Sequence, residues 1–471
     1  MKERYESPFG ARYTSEEMQK LFSPDARYVT WRKLWLALAT AEKELGLPIT
    51  EAQLAEMKAH LTDIDYDVVA AREKEVKHDV MAHLYAYGKA APSAAGIMHL
   101  GATSCYVTDN ADLVLYKEAL FLVRKELLSV IKALWSFADR YKALPTLGYT
   151  HYQPAQLVTV GKRAALWLQD FVTDLQDLDA LLADLKFLGC RGTTGTEASF
   201  LELFDGEAQK VEEMNRRLAS AFGFESCYDI CGQTYPRKTD SRILKVLSGM
   251  AESATKFASD LRLLQHDGEV TESFGAKQIG SSSMAYKSNP MHAERICSLA
   301  RYLMTDALNG GLTASAQWLE RTLDDSANRR ISMCEGFMAA DGVLRLVADV
   351  ASGLVVHEAI IAKRVGAYLP FIATENILME GVKRGGDRQA LHEIIRKASL
   401  SAKEKIEKGE KADLLADLAE SGAFGMTKTE LEKVLEPSLY TGRAAEQTRA
   451  YLEKIRPIAE AGETPTDKIV L

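Results

Sequence analysis

Residues 109–138 read DNADLVLYKEALFLVRKELLSVIKALWSFA. Leu113, Leu120, Val123, Leu127, Ile131, Leu134 and Ala138 recur at spacings of three, four and seven, which keeps one helical face apolar along the whole stretch. At 1.5 Å per residue such a helix is on the order of 40 Å long, whereas an average helix has only ~11–12 residues. The pattern returns from Pro154, through Leu157, Ala165, Leu168, Val172, Leu175 and Leu178 to Leu185. It returns again from Asp240, through Ile243, Leu247, Met250, Ala254, Phe257 and Leu261 to Leu264. Two further stretches follow Pro290 and run from about Ala327 to Val356. Five long helices are expected, and strand patterns are nearly absent. Long apolar stripes must lie on one another, so the fold class is all-α with a central bundle. Stripes of this length exceed what one bundle covers, so copies of the chain are expected to associate with closed symmetry.

Outward from that centre the pattern shortens on both sides. Residues 1–103 form an N-terminal helical region, with helices near 30–46 and 51–60 flanking the stop Gly46-Leu47-Pro48. Residues 104–356 hold the bundle, and residues 357–471 form a C-terminal helical region broken by Gly385-Gly386 and Gly422. The 471 residues carry a formal net charge of -8 with no basic tract, which argues against nucleic acid as a partner. No run approaches the ~18 apolar residues of a membrane span. The opening MKERYESPFG lacks the apolar core of a signal peptide. The six cysteines form no CxxC pair, and they fit a reducing compartment. Cytoplasm is the expected location.

The loops between the long helices carry the chemistry. GSSSMAYKSNP at 280–290 places Asn289 as an N-cap and Pro290 at the first helical position, so free N–H groups and Lys287 face a serine-rich loop. That combination suits a carboxylate or a carbanion delocalised onto one, and it would help a serine lose its proton. His151 stands just before Pro154, where a helix start is expected, and can donate a proton near neutral pH. His78 lies between Lys77 and Asp79; it is five residues from His83, which does not fit a metal pair on one helical face. No metal is expected. Thr103 and Ser104 offer adjacent hydroxyls before the first long helix. Arg321, Arg329 and Arg330 surround Ser326 and match the oxygens of a phosphate, the plainer reading being surface pairing with Asp324 and Asp325. Pooled at one end of a bundle, these loops would make a pocket with anion binders, an acid and a base. Spacing alone leaves open which group is acid and which is base. No glycine-rich dinucleotide loop and no GxxxxGK(S/T) loop occurs, so no nucleotide cofactor is expected.

GSSSMAYKSNP resembles the GSSxMPxKxNP loop of the aspartase/fumarase superfamily. ARYTSEEM (11–18), KHDVMAH (77–83), LGATSCYVTDN (100–110), THYQPAQLVTVGKR (150–163), GQTYPRK (232–238), MHAERICSLARYLM (291–304) and RTLDDSANRR (321–330) are similar, within it, to the adenylosuccinate lyase family. The resemblance implies an all-helical homotetramer with a 20-helix core, each active site built from three subunits. It implies elimination of fumarate from adenylosuccinate, giving AMP, and from SAICAR, giving AICAR, with no cofactor. It places Ser281 as the base, His151 as the acid, His78 as a positioning group and Glu294 as a carboxylate paired with the acid. Lys287 and Asn289 fall on groups that hold the carboxylates and order the loop. Arg12, Tyr13, Arg321, Ser326 and Arg330 fall on nucleotide and phosphate contacts. Lys77, Asp79, Thr103, Ser104, Gln233 and Arg295 fall on further substrate contacts. Three positions depart from the pattern: Ala285 replaces a proline, Ser288 a basic residue, and Lys77 an arginine, exchanging a fork for a point charge. Argininosuccinate lyase or fumarase chemistry, or a non-catalytic structural relative, are the competing readings; the arginine–serine cluster and the retained loop residues weigh against them.

Overall fold

The computed structural model describes residues 3–274, 283–284 and 286–463. Helix α1 (Pro24–Glu44) starts where the Ser23 side chain accepts the Ala26 N–H and Pro24 takes the first turn. It stops at Gly46, whose φ of 107° is open to a residue without Cβ. Helix α2 (Asp79–Ala90) follows, then α3 (Ser104–Arg140), 37 residues and about 55 Å long. Leu113, Leu120, Val123, Leu127, Ile131 and Leu134 are wholly buried, as the periodicity requires. Each such leucine contributes roughly 1.5–3 kcal/mol to the driving force.

After α3 the structure departs from expectation. Pro154 does not start a helix. Strand β1 (Pro145–Thr150) pairs antiparallel with β2 (Gln153–Thr159), and the long helix α4 (Val160–Asp184) begins only where the Thr159 side chain accepts the Lys162 N–H. His151 and Tyr152 make the two-residue turn, with φ of 53° and 57°. Two left-handed residues in succession match the twist of a tight hairpin. The cause is tertiary: the buried Glu269 accepts hydrogen bonds from Thr146 Oγ1 (3.3 Å) and Tyr149 OH (2.9 Å), both on β1. Gly161 lets α4 turn back closely, since a Cβ there would lie 2.4 Å from the Ala138 carbonyl oxygen.

Helix α5 (Lys238–His266) leads to a short strand β3 (Val270–Thr271). The stretch after Pro290 is not one long helix but α6 (Met291–Asp306) and α7 (Leu308–Ser315). The Asp306 carboxylate and carbonyl take the Asn309 amide at the break. Helix α8 (Asp324–Ser352) follows, then β4 (Val355–Val356), which pairs with β3, and α9 (Glu358–Ile372).

Cross-helix contacts fix the directions. Asp184, the last residue of α4, pairs with Arg242 near the start of α5, whereas Trp167 near the start of α4 donates to Asp260 near the end of α5 (2.7 Å). Arg329 at the start of α8 reaches Asp112 in the first turns of α3 and Asp240 in the first turn of α5. Helices α3, α5 and α8 therefore run one way, and α4 and α6–α7 run back between them. One large hydrophobic cluster joins α1 through α6 with α8 and α9, and also takes Leu452, Ile455 and Ala459 from the last helix, Ala444–Glu460. Residues from Ala373 to Leu431 bury a separate cluster around Leu418 and Phe424. Among the described residues no helix is long and apolar enough to cross a membrane.

Candidate active site

Where α3, α5 and α8 begin, a cavity of about 550 Å³ opens. Its walls bring together Lys77, His78, Asp79, Ser104, Gln233, Arg321, Ser326 and Arg330 from segments far apart in sequence. His78 is the N-cap of α2: its Nδ1 accepts the Met81 N–H (3.4 Å), and its Nε2 lies 3.3 Å from Ser104 Oγ. Thr103 is the N-cap residue of α3 and makes no side-chain cap bond. Asp79 accepts from Arg330 at 3.0 Å. Gln233 is fixed at both ends, donating to the Thr193 carbonyl (3.1 Å) and accepting from Cys105 Sγ (3.2 Å). Ser326 and Arg330 share a face of α8.

The floor of this cavity is ionic and buried. Arg237 donates to Asp109 (2.7 Å) and to Asp325 (2.6 Å), and all three side chains are at most 2% exposed. Arg329 donates to Asp240 (2.6 Å) and Asp112 (3.0 Å). Burial is the strongest single influence and works against the charge on Arg237, but Asp109, Tyr235 and Asp240 acting together hold the guanidinium above the ordinary arginine range. Burial likewise acts to raise the Asp325 carboxyl, and Arg237 and Arg321 hold it below the usual carboxylate range. Removing one member of such a buried pair leaves an uncompensated charge, at a cost of about 3–5 kcal/mol. Sequence reasoning did not single out Arg237, Asp109 or Asp112. The signal that could have found the first two is that Asp109 lies in LGATSCYVTDN (100–110) and Arg237 in GQTYPRK (232–238), each just before a long apolar stripe.

The remaining candidates lie elsewhere. His151 is exposed at the tip of the β1–β2 hairpin. The hairpin is anchored through Glu269, which also accepts from Arg364 Nε of α9 (2.8 Å). A second cavity, of about 590 Å³, is lined by Lys287, Asn289 and Glu294 together with Gln265 and His266 at the end of α5. Gln265 Nε2 donates to the Ser288 carbonyl at 3.0 Å. Arg295 follows Glu294 on α6. Ser281, and with it Ala285, lies outside the described residues. Free N–H groups are expected from sequence at the start of α6, but Glu272 accepts those of His292 (3.2 Å) and Ala293 (2.6 Å). Arg12 and Tyr13 form a third group, packed on the middle of α8, where the Tyr13 backbone lies against Gly342.

The expected pooling at one end of a bundle is thus not what one chain achieves. The first cavity sits at the start of α5, and the loop with Lys287 and Asn289 sits at its end. The hairpin with His151 is tied to Glu269 just beyond that end. The 29 residues of α5 separate them by about 40 Å. The reason is helix direction: alternate helices run oppositely, so the loops that precede α3 and α8 open at one end and those that precede α4 and α6 at the other. Among the described residues no group of three or more His, Cys, Asp or Glu side chains is arranged to hold a metal ion.

Residues 17–304 match the family model described as "Lyase", and residues 370–451 match "Adenylosuccinate lyase C-terminus". The chain is 49% identical over 454 residues to adenylosuccinate lyase of Schizosaccharomyces pombe, covering 96% of this chain and 94% of the relative. It is 47% identical over 456 residues to the Saccharomyces cerevisiae protein of the same name, covering 96% and 95%. In fold it is similar to the 3-carboxy-cis,cis-muconate lactonizing enzyme of Pseudomonas putida, with a TM-score of 0.82 at 22% identity over 96% of this chain and 100% of that one.

Proposed function

The chain belongs to the adenylosuccinate lyase family, and on that premise we propose that it eliminates fumarate from adenylosuccinate, giving AMP, and from SAICAR, giving AICAR. The observation that carries the substrate assignment is the first cavity, where Arg321, Ser326 and Arg330 line one wall beside His78, Ser104 and Gln233. Arginine forks match phosphate oxygens, and a phosphate is what separates these substrates from argininosuccinate or malate.

Elimination breaks the C–N bond while a proton leaves the adjacent carbon, and the electron pair ends in the new double bond. Electrons are neither gained nor lost overall, so the reaction calls for no redox partner. Ser281 takes the proton from the succinyl β-carbon, and His151 gives one to the leaving nitrogen. Lys287 and Asn289 hold the carboxylates and stabilise charge that spreads onto them as the carbanion forms. Glu294 faces the acid histidine; Arg295, Thr103, Lys77 and Asp79 complete the substrate contacts, with Arg12 and Tyr13 on the nucleotide.

A site made of these parts cannot close within one chain, because its pieces lie about 40 Å apart along α5. We therefore read the working form as a homotetramer in which three copies supply each site and the long helices of all four make the 20-helix core. Exposed apolar side chains near the first cavity, Leu312, Leu319 and Leu323 among them, support that reading. The three-region division at 103/104 and 356/357 and a cytoplasmic location, which six unpaired cysteines suit, belong to the same proposal.

The test is ultraviolet absorbance of the purified protein with adenylosuccinate, with products identified by chromatography. AMP and fumarate in equal amounts are expected, and Ser281→Ala is expected to abolish both. An intact oligomer that leaves adenylosuccinate unchanged would remove the assignment.

A further inference from the structure

The floor of the first cavity is a chain of alternating charges that runs from the core to the wall. Arg237 sits between two carboxylates, with Nη1 2.7 Å from Asp109 and Nε 2.6 Å from Asp325 Oδ2. The other oxygen of Asp325 accepts from Arg321 Nη1 at 2.8 Å. Exposure falls sharply inward: the Arg321 side chain is 23% exposed and that of Asp325 is 1%. Arg321 Nη1 also donates to the Thr322 carbonyl. Both anchoring bonds therefore use one nitrogen. Nε and Nη2 of Arg321 have no partner among the described residues, and they form the edge of a guanidinium that meets two oxygens of one anion.

We propose that Asp325 is a positioning residue for phosphate recognition: it fixes the Arg321 guanidinium by one nitrogen so that its free two-donor edge is presented to the substrate phosphate. This rests on the phosphate reading given above and adds to it the group that sets the fork. Arg321 on its own is a long side chain with many rotamers, and ordering it on binding would weaken the complex. Asp325 removes that cost beforehand. It can do so because it is itself held: Arg237 donates to its second oxygen, and Asp109 accepts from Arg237. The two arginines donate to different oxygens of Asp325, and an asparagine would put its donor-only NH2 opposite one of them, so that bond is lost.

The experiment is calorimetric binding of AMP and of adenosine to the wild-type oligomer, D325N, R321Q and the double variant. The expected result is about tenfold weaker AMP binding in D325N, adenosine within about twofold of wild type, and no further loss when D325N is added to R321Q. Equal weakening of AMP and adenosine would overturn the proposal, as would a full effect of D325N in the R321Q background, since either would mean that Asp325 acts through general stability. If D325N does not fold, D325E enters the same cycle with the same expectations: its longer side chain keeps the charge and displaces the fork. Wild-type protein that binds AMP no more tightly than adenosine would instead overturn the phosphate reading, and the positioning role with it.

Discussion

Glu42, on α1, is 0% exposed, and among the described residues neither of its carboxylate oxygens has a hydrogen-bond partner. Tyr106 and Cys190, both wholly buried, feel its charge, and no cation is among the influences on it. Burial alone pushes the carboxyl up from 4.5 to about 8. The folded chain thus keeps this proton until about pH 8, whereas the unfolded chain releases it from about pH 4.5. Through that window the unfolded state gains by ionising, and the fold loses about 1.4 kcal/mol per pH unit from this group. Between pH 5.5 and 7.5 the loss is about 3 kcal/mol. Glu42→Gln removes the titration while keeping the shape. Its amide is as unsatisfied as the acid, so the change expected is in the slope with pH and not in stability at one pH. Asp174 and Glu126, pushed to about 7, and Asp306, pushed to about 6, act in the same direction, and subtracting variant from wild type cancels them. Urea unfolding at a fixed chain concentration, at both pH values, gives the two slopes. Parallel slopes for wild type and variant would refute the reasoning and require a partner for Glu42 that stabilises its charge.

His83 works on the acid side. Burial lowers its pKa to about 4, so it stays neutral in the fold while the unfolded chain protonates below about pH 6.5. Stability is lost as pH falls from about 6.5 to about 4, and His83→Phe, which retains the ring stacked on Tyr28 at 3.7 Å, should reduce that loss; an unchanged acid limb in a thermal melt would speak against it. His151→Ala should lower kcat by about a hundredfold to ten-thousandfold with an unaltered circular dichroism spectrum, because the residue is an exposed turn and its expected work is proton transfer. Near-normal turnover would remove it from the mechanism. Gly161→Ala drives a methyl into the Ala138 carbonyl and should cost about 1–3 kcal/mol, seen as a lower thermal midpoint without a change in KM.

The bundle was legible in the sequence because its cause is local and repeated: Leu113 to Ala138 states the same periodicity seven times. The hairpin was not. Pro154 reads as a helix start by its neighbours, and what makes it a strand residue is Glu269, over a hundred positions away, collecting Thr146 and Tyr149. The broken helix at Ala307 has a similar cause: Gly310 lies against Ser241, where a Cβ would come 2.9 Å from its Cα. The segments before α3 and α8 stood out because each precedes a long apolar stripe, whereas Arg237, Asp109 and Asp112 did not stand out. Which segments share a cavity could not be read, because that depends on helix direction. Arg237 and Asp325, or Arg329 and Asp112, are 88 and 217 positions apart, and no spacing rule links them.

The separation of the hairpin from the first cavity has a consequence for inheritance. A copy damaged at His151 still carries a sound cavity, and a copy damaged at Ser326 still carries a sound hairpin. If the assembly proposed above draws each site from several copies, two inactive proteins made in one cell would rebuild some whole sites between them. The converse also holds: a copy that folds and assembles but lacks one part spoils sites that its neighbours would otherwise complete. On that proposal the harm done by a variant would depend on which other variant it meets, and a copy too unstable to join the assembly would do less harm to its neighbours than one that joins it.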